Sequence, residues 1–212
     1  MGKITEIKNG KRDAKRVNIF VDGRFMLALD TEIAVKEKIR VDTELNPDRI
    51  SELERSDRIK QGMDTAVRFL GYRPRSETEI KERLQRHGFE GDIIDIVISK
   101  LKEQGLVDDR AFARFWTENR ESFNPHSQYF TRRELKQKGV AEEIIDETVS
   151  TIDDGESAYR IALTGTRRIN TAEYGDFRNR LGGYLRRRGF SYETINKTIE
   201  RIWQEKKKEV LP

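Results

Sequence analysis

Few side chains in this sequence of 212 residues are spaced for covalent chemistry. Its two histidines, His87 and His126, fall in different parts of the chain, and neither has a partner at general-base or metal-ligand spacing. There is no cysteine, which excludes a disulfide scaffold and a thiolate metal site. Asp108-Asp109 could hold Mg²⁺, but two acids in front of an apolar helical pattern read better as a helix start. Gly182-Gly183 has no strand before it, so it is read as a site of close helix packing, not a phosphate loop. Tyr72, Trp116, Tyr129 and Tyr184 could stack on bases; aromatics at helical spacing also build cores. No catalytic constellation emerges, and no cofactor or metal is expected.

What remains is charge. Lys and Arg total 42 against 38 Asp and Glu, a net of +4. That balance favours an anionic partner only if the basic residues cluster. They do. The segment Arg73–His87 holds five Lys and Arg against three acids, Gln128–Lys138 four against one, and Phe177–Arg188 five against none. The segments that follow lean acidic in two cases: Glu142–Asp154 has six acids and no base, and Glu90–Glu103 four acids and two bases. Basic helices repeated along an array would make a ribbon for phosphates or for an acidic protein groove. The other reading is plain helix solubility, with cations near C-termini meeting the helix dipole.

The elements that carry these charges recur. In Tyr72–Phe89, Pro74 forces a turn, Ser76 and Glu79 form a capping box, and Ile80, Leu84 and His87 follow at helical spacing. Gly88 supplies the stop. The same ending returns at Leu135–Val140 and Leu185–Phe190, with stop glycines 51 and then 50 residues apart. Counted from each glycine, the next residue is Phe89, Val140 or Phe190. The sixth is Ile94, Ile145 or Ile195, and the tenth is Ile98, Val149 or Ile199. Three copies of a three-helix module are therefore expected, each too small to stand without its neighbours. A lead-in helix runs from Pro47 to Gly71, and further helices are expected over Glu77–His87, Asp92–Gln104, Ser127–Lys138, Glu142–Ile152, Glu156–Arg168, Asp176–Arg188 and Tyr192–Lys206. Asp108, Asp109, Phe112 and Trp116 are assigned to the joint between modules.

Residues 1–30 differ. Short β-prone runs at Ile4–Lys8, Arg16–Val21 and Arg24–Leu29 are separated by Asn9-Gly10 and Asp22-Gly23, giving a small antiparallel meander. Ile19 and Val21 are expected on one side, with Phe25 and Leu27 opposite. Thr31–Asn46 is ambiguous; a short helix and a further extended piece fit it. The boundaries read as a β-containing region over 1–46, a first repeat with its lead-in helix over 47–107, a second over 108–154 and a third over 155–212. Only 35% of residues are apolar and 38% are charged, which suits thin helical layers better than one thick core. No signal-peptide segment or membrane-length apolar run is present, and with the lack of cysteine this points to the cytoplasm.

Taken together, these residues resemble the RecX family of recombination regulators. The likeness rests on Phe69-Leu-Gly-Tyr-Arg-Pro-Arg-Ser-Glu-Thr-Glu-Ile, on Gly105-Leu-Val-Asp-Asp-Arg-Ala-Phe-Ala-Arg-Phe-Trp with Arg120, on Arg133-Glu-Leu-Lys-Gln-Lys-Gly-Val, and on Tyr184-Leu-Arg-Arg-Arg-Gly-Phe-Ser-Tyr-Glu-Thr-Ile. It implies a mainly α protein whose tandem three-helix repeats form an elongated curved array, with a small N-terminal antiparallel β region. It further implies a monomer that is not an enzyme and docks on the RecA nucleoprotein filament. There it would inhibit RecA's recombinase, ATPase and coprotease activities in DNA repair and the SOS response, with single- or double-stranded DNA as a further contact. The candidate contacts are Arg73, Arg75, Arg83, Arg86, Arg132, Arg133, Lys136, Lys138, Arg186 and Arg187. The alternative is a helical DNA- or RNA-binding protein with no recombinase partner. A hydrolase or nuclease is disfavoured, because no readable spacing brings carboxylates and histidines together.

Overall fold

The computed structural model describes residues 2–10, 13–169 and 173–210. The outer ends of the first and last expected segments, at residues 1 and 212, lie outside these. Among the described residues there are four strands and ten helices, and contacts divide the chain into two compact units. One comprises residues 1–73 and 80–107; the other comprises 74–79 and 108–212.

The first unit opens with β1 (Gly2–Asn9), β2 (Arg16–Val21) and β3 (Arg24–Asp30), then α1 (Thr31–Lys36) and β4 (Glu44–Leu45). The strands form an antiparallel sheet ordered β3-β2-β1-β4. The Asp22-Gly23 turn has φ of +50° and +78°, the doubly left-handed geometry that a two-residue hairpin needs. Val17, Ile19 and Val21 alternate cleanly into the core with Ile4, Leu27, Leu29 and Leu45. Leu27 thus lies on the same side as Ile19, its cross-strand partner, and not opposite as its spacing from Phe25 suggested. The cause is a bulge: Ile19 pairs with Leu27 but Phe20 pairs with Phe25, so Met26 is extra and the alternation slips.

The 24-residue α2 (Pro47–Leu70) serves two cores. Asn46 caps it and Pro47 occupies its first turn. Leu53 packs beneath the sheet, while Ala66 joins Ile80 and Leu84 of α3 (Glu77–Arg86) and Ile93, Ile94, Val97, Ile98 and Leu101 of α4 (Gly91–Glu103). Between these cores lies Asp57, 5% exposed. Its carboxylate accepts from both Nη atoms of Arg16 (3.4 and 2.8 Å), from the Asp30 amide (2.7 Å) and from Gln61 (2.7 Å). The side chain ties strands β2 and β3 to α2.

The second unit contains two three-helix repeats. These are α5 (Asp109–Phe123), α6 (Gln128–Gln137) and α7 (Glu142–Val149), then α8 (Asp154–Thr166), α9 (Tyr174–Arg186) and α10 (Tyr192–Val210). Phe112, Ala113, Leu135, Val140, Ile145 and Val149 fill the first of these cores. Phe177, Leu181, Leu185, Phe190, Ile195 and Ile199 fill the second. All nine positions matched by their offset from the stop glycines are buried, three in each repeat. The glycine pair in α9 is less tight than expected: a Cβ on Gly182 would lie an ordinary 3.6 Å from Ile199. The close approach is instead at Gly165 of α8, where a Cβ would meet the Tyr184 ring at 2.8 Å.

Within this second unit one joint is built twice. Ser76 accepts the Glu79 amide (3.2 Å) and donates its Oγ proton to the Lys138 carbonyl (2.7 Å), and Asp109 accepts the Glu77 amide (2.9 Å). Fifty-one residues on, Ser127 accepts the Phe130 amide (3.2 Å), its N–H donates to the Arg188 carbonyl (3.1 Å), and Asp154 accepts the Gln128 amide (2.7 Å). In both cases a helix start is fastened to the carbonyl just before a stop glycine and to a carboxylate opening the next repeat. Asp108 meanwhile caps α5 through the Arg110 and Ala111 amides. The adjacent acids thus divide into a cap and a joint, and among the described residues no three acids or histidines converge as a metal site.

His126 lies beside the second joint, its ring stacked at 4.6 Å on Phe130 and its Nδ1 buried without a partner. Burial lowers its pKa below the ordinary imidazole value, with Arg120 and Arg188 acting in the same sense and Glu134 against it. A lowered folded value means that this contribution to stability is complete above about pH 6.5 and is lost as pH falls through the folded pKa. The urea midpoint is therefore expected to drop between pH 7 and 5.5, and His126→Gln to flatten that drop; an equal drop in the variant would assign it to other groups.

Candidate partner-binding surface

The ten basic residues proposed as contacts occupy three kinds of environment. Some are fixed inside the structure. Arg75, with 15% of its side chain exposed, pairs with Glu79 at 3.8 Å, and Lys138, with 18% exposed, reaches the same carboxylate at 3.1 Å while its Nζ sits 4.2 Å from the Trp116 ring centre. These two meet at the joint. Arg73 is half-buried, and Arg83 lies over the Phe69 ring at 5.4 Å.

Others are exposed or half-buried and neutralised by their own repeat. Arg132 of α6 binds Glu142 (2.7 Å) and Asp146 (2.5 Å) of α7, and Lys136 is 3.5 Å from Glu142. The acid-rich helix that follows a basic one folds back beside it, so in the second repeat the two charge sets largely cancel. Arg86 bonds to the carbonyl and carboxylate of Glu82 one turn earlier.

The last kind is open. Arg133 on α6, and Arg186 and Arg187 at the C-terminal end of α9, are exposed, and among the described residues none has a side-chain hydrogen bond or ion pair. Two neighbours that sequence reading missed extend the α9 pair. Arg178, two helical turns before Arg186, donates from Nη2 to the Tyr192 hydroxyl at 3.1 Å, and Tyr192 is 66% exposed. Its phenol pKa is lowered, first by a hydrogen bond with Asn196 and then by the charges of Arg178 and Arg186. The available signal was that Phe177–Arg188 is the one basic segment with no acid. Charge concentrates there because α10 supplies no counterpart to the acids of α7: its first-turn Glu193 pairs with Lys197 at 2.7 Å.

Some of the other residues singled out as chemical candidates have structural roles. Trp116 donates to Glu134, which also takes a two-point contact from Arg120 at 2.9 and 2.6 Å. His87 is exposed, with Nδ1 3.1 Å from the Arg83 carbonyl. Tyr184 lies beneath the Arg188 guanidinium at 3.8 Å, whereas Tyr72 and Tyr129 are 80% and 61% exposed. No described helix is long and apolar enough to cross a membrane.

These features define a class: a three-helix-repeat protein with a small N-terminal sheet and charged surfaces. The comparisons with known proteins agree. Family profiles described as "Regulatory protein RecX N-terminal domain", "RecX, first three-helix domain" and "RecX, second three-helix domain" match residues 2–46, 63–101 and 108–149. Curated relatives named Regulatory protein RecX match most of the chain. That of Bacillus velezensis is 31% identical over 93% of this chain and 76% of its own. That of Bacillus pumilus is 29% identical over 99% and 81%, and that of Clostridium perfringens 28% over 95% and 97%. The chain belongs to the RecX family. A crystal structure of regulatory protein RecX superposes with a TM-score of 0.70 at 24% identity, covering 94% of this chain and all of that one. RecX from Lactobacillus salivarius gives 0.59 at 23% identity over 69% and 97%. At that identity the structures speak for the fold.

Proposed function

We propose that this protein is a stoichiometric regulator that docks on the RecA–DNA filament and inhibits RecA's recombinase, ATPase and coprotease activities, working without catalysis of its own in the cytoplasm. Membership in a family of regulatory proteins supports the reading. The observation that carries it to particular residues is the open arginine pair at the end of α9. Arg186 and Arg187 are exposed without partners while most of the other basic candidates are neutralised or fixed. A protein that exploits unpaired, exposed cations gains association rate and specificity for an anionic partner, and that gain is screened by salt. By bridging neighbouring protomers, the bound chain would shift the balance between filament growth and disassembly.

The test is RecA's single-strand-dependent ATP hydrolysis titrated with the protein. Arg186→Glu/Arg187→Glu is expected to raise the half-inhibitory concentration by about tenfold or more and to flatten its salt dependence. Thermal melting should not change, because neither side chain holds the fold. Unchanged inhibition would remove the pair from the interface; no inhibition by the wild-type chain would remove the proposed function itself.

A further inference from the structure

Tyr72, Tyr129 and Tyr192 all stand well out in solvent. Of these three, Tyr192 alone has an arginine hydrogen-bonded to its hydroxyl. Arg178 Nη2 donates to that oxygen at 3.1 Å, and the charge of Arg186 also reaches the phenol. The acids nearest in the chain do not oppose these cations, because each has a partner of its own. Asp176 faces Arg180 at 3.9 Å, and Glu193 holds Lys197 at 2.7 Å. Tyr192 is also the first residue of α10, the end of a helix where added negative charge is favoured.

We propose that Tyr192 is a phosphorylation site whose modification switches off the α9 arginine surface; the switch rests on the docking role given to that surface above. A separate tyrosine kinase and ATP supply the chemistry. The phenol oxygen bonds to the γ-phosphorus, the bond from that phosphorus to the bridging oxygen breaks, ADP leaves and the phenolic proton passes to solvent. The product carries about two negative charges at neutral pH and three acceptor oxygens. Arg178 already touches the atom that gains the phosphoryl group, so the new oxygens fall within reach of its guanidinium without a change of backbone. Such a charge-assisted contact is stronger than the present one to a neutral phenol. Arg186 is attracted by the same charge. Two cations open to an anionic partner thereby gain a partner within their own repeat, as Arg132 already has in Glu142 and Asp146. The third repeat, whose basic helix lacks an acidic neighbour, would acquire one by modification.

The experiment incorporates phosphotyrosine at position 192 of the full chain during translation and follows the phosphate by ³¹P NMR. Capture by Arg178 should lower the second phosphate pKa by about one unit relative to a phosphopeptide spanning Ser191–Lys197, and Arg178→Gln should return most of that shift. In the RecA ATPase titration, the phosphorylated chain should need about tenfold more protein for half-inhibition than the unmodified one. Unmodified chain incubated with ATP and a broad-specificity tyrosine kinase should take up phosphate at Tyr192, located by mass spectrometry. The proposal is overturned if the phosphate titrates as it does in the peptide, if phosphorylation leaves inhibition unchanged, or if the kinase labels Tyr72 and leaves Tyr192 bare. Absence of inhibition by the unmodified chain would remove the docking role and the switch with it, while a lowered phosphate pKa would still establish the arginine-held phosphate.

Discussion

Replacing Asp57 with Ala is expected to destabilise the first unit by about 3–5 kcal/mol, lowering its melting transition by roughly 12–20 °C. The carboxylate is almost fully buried and accepts four hydrogen bonds, so its removal strands several donors at once. The largest share comes from Arg16, whose side chain is only 28% exposed and would keep its charge with one carbonyl, that of Ala28, as partner. An uncompensated buried cation costs more than the ion pair was worth. Adding Arg16→Ala to Asp57→Ala should therefore cost clearly less than the sum of the two single changes. Additive losses in a urea-melt cycle would show that the arginine finds water and that the amide contacts dominate.

The second large effect is expected at Gly139, where an alanine should cost about 2–4 kcal/mol. Two terms contribute. The backbone sits at φ +72°, where a Cβ costs roughly 1–2 kcal/mol. A Cβ there would also fall 2.0 Å from the Thr78 hydroxyl and 2.9 Å from its methyl, so the joint held by Ser76 and the Lys138 carbonyl must give way. Gly88 separates the terms: its φ is also +72°, but nothing lies nearer than 4.0 Å. Gly88→Ala should show the backbone cost alone. Thr78→Ala should recover part of the loss in Gly139→Ala and be close to neutral by itself. If both glycine variants melt alike, the joint contributes nothing beyond the turn.

The two predictions separate what local sequence fixes from what it leaves open. The Ser76–Glu79 capping box, the stop glycines and the recurring apolar offsets are short-range devices. Each needs only residues three to ten positions apart, so each was legible in the chain. The same Ser76 hydroxyl that caps its helix also holds the Lys138 carbonyl 62 residues away, and nothing in its local spacing announces that second bond. Leu27 was misplaced for a related reason, since a bulge is a mismatch between two strands and cannot be read from one of them. Of the basic candidates, Arg186 and Arg187 were readable because their segment lacks acids. The cancellation of Arg132 by Glu142 and Asp146 emerged only when α7 folded beside α6.

By itself, then, the sequence determined where most helices fall, the threefold repetition and the helix positions that face each core, because propensity, capping and periodicity act within one or two turns. Some ends shifted, with α7 stopping at Val149 where Ile152 was expected and α8 and α9 starting two residues early. The tertiary structure decided which cations remain free, which carboxylate holds a joint and which aromatic rings reach solvent. Those outcomes depend on which groups become neighbours across long stretches of chain, and an exposed charge is a possible contact only when no neighbour has already neutralised it.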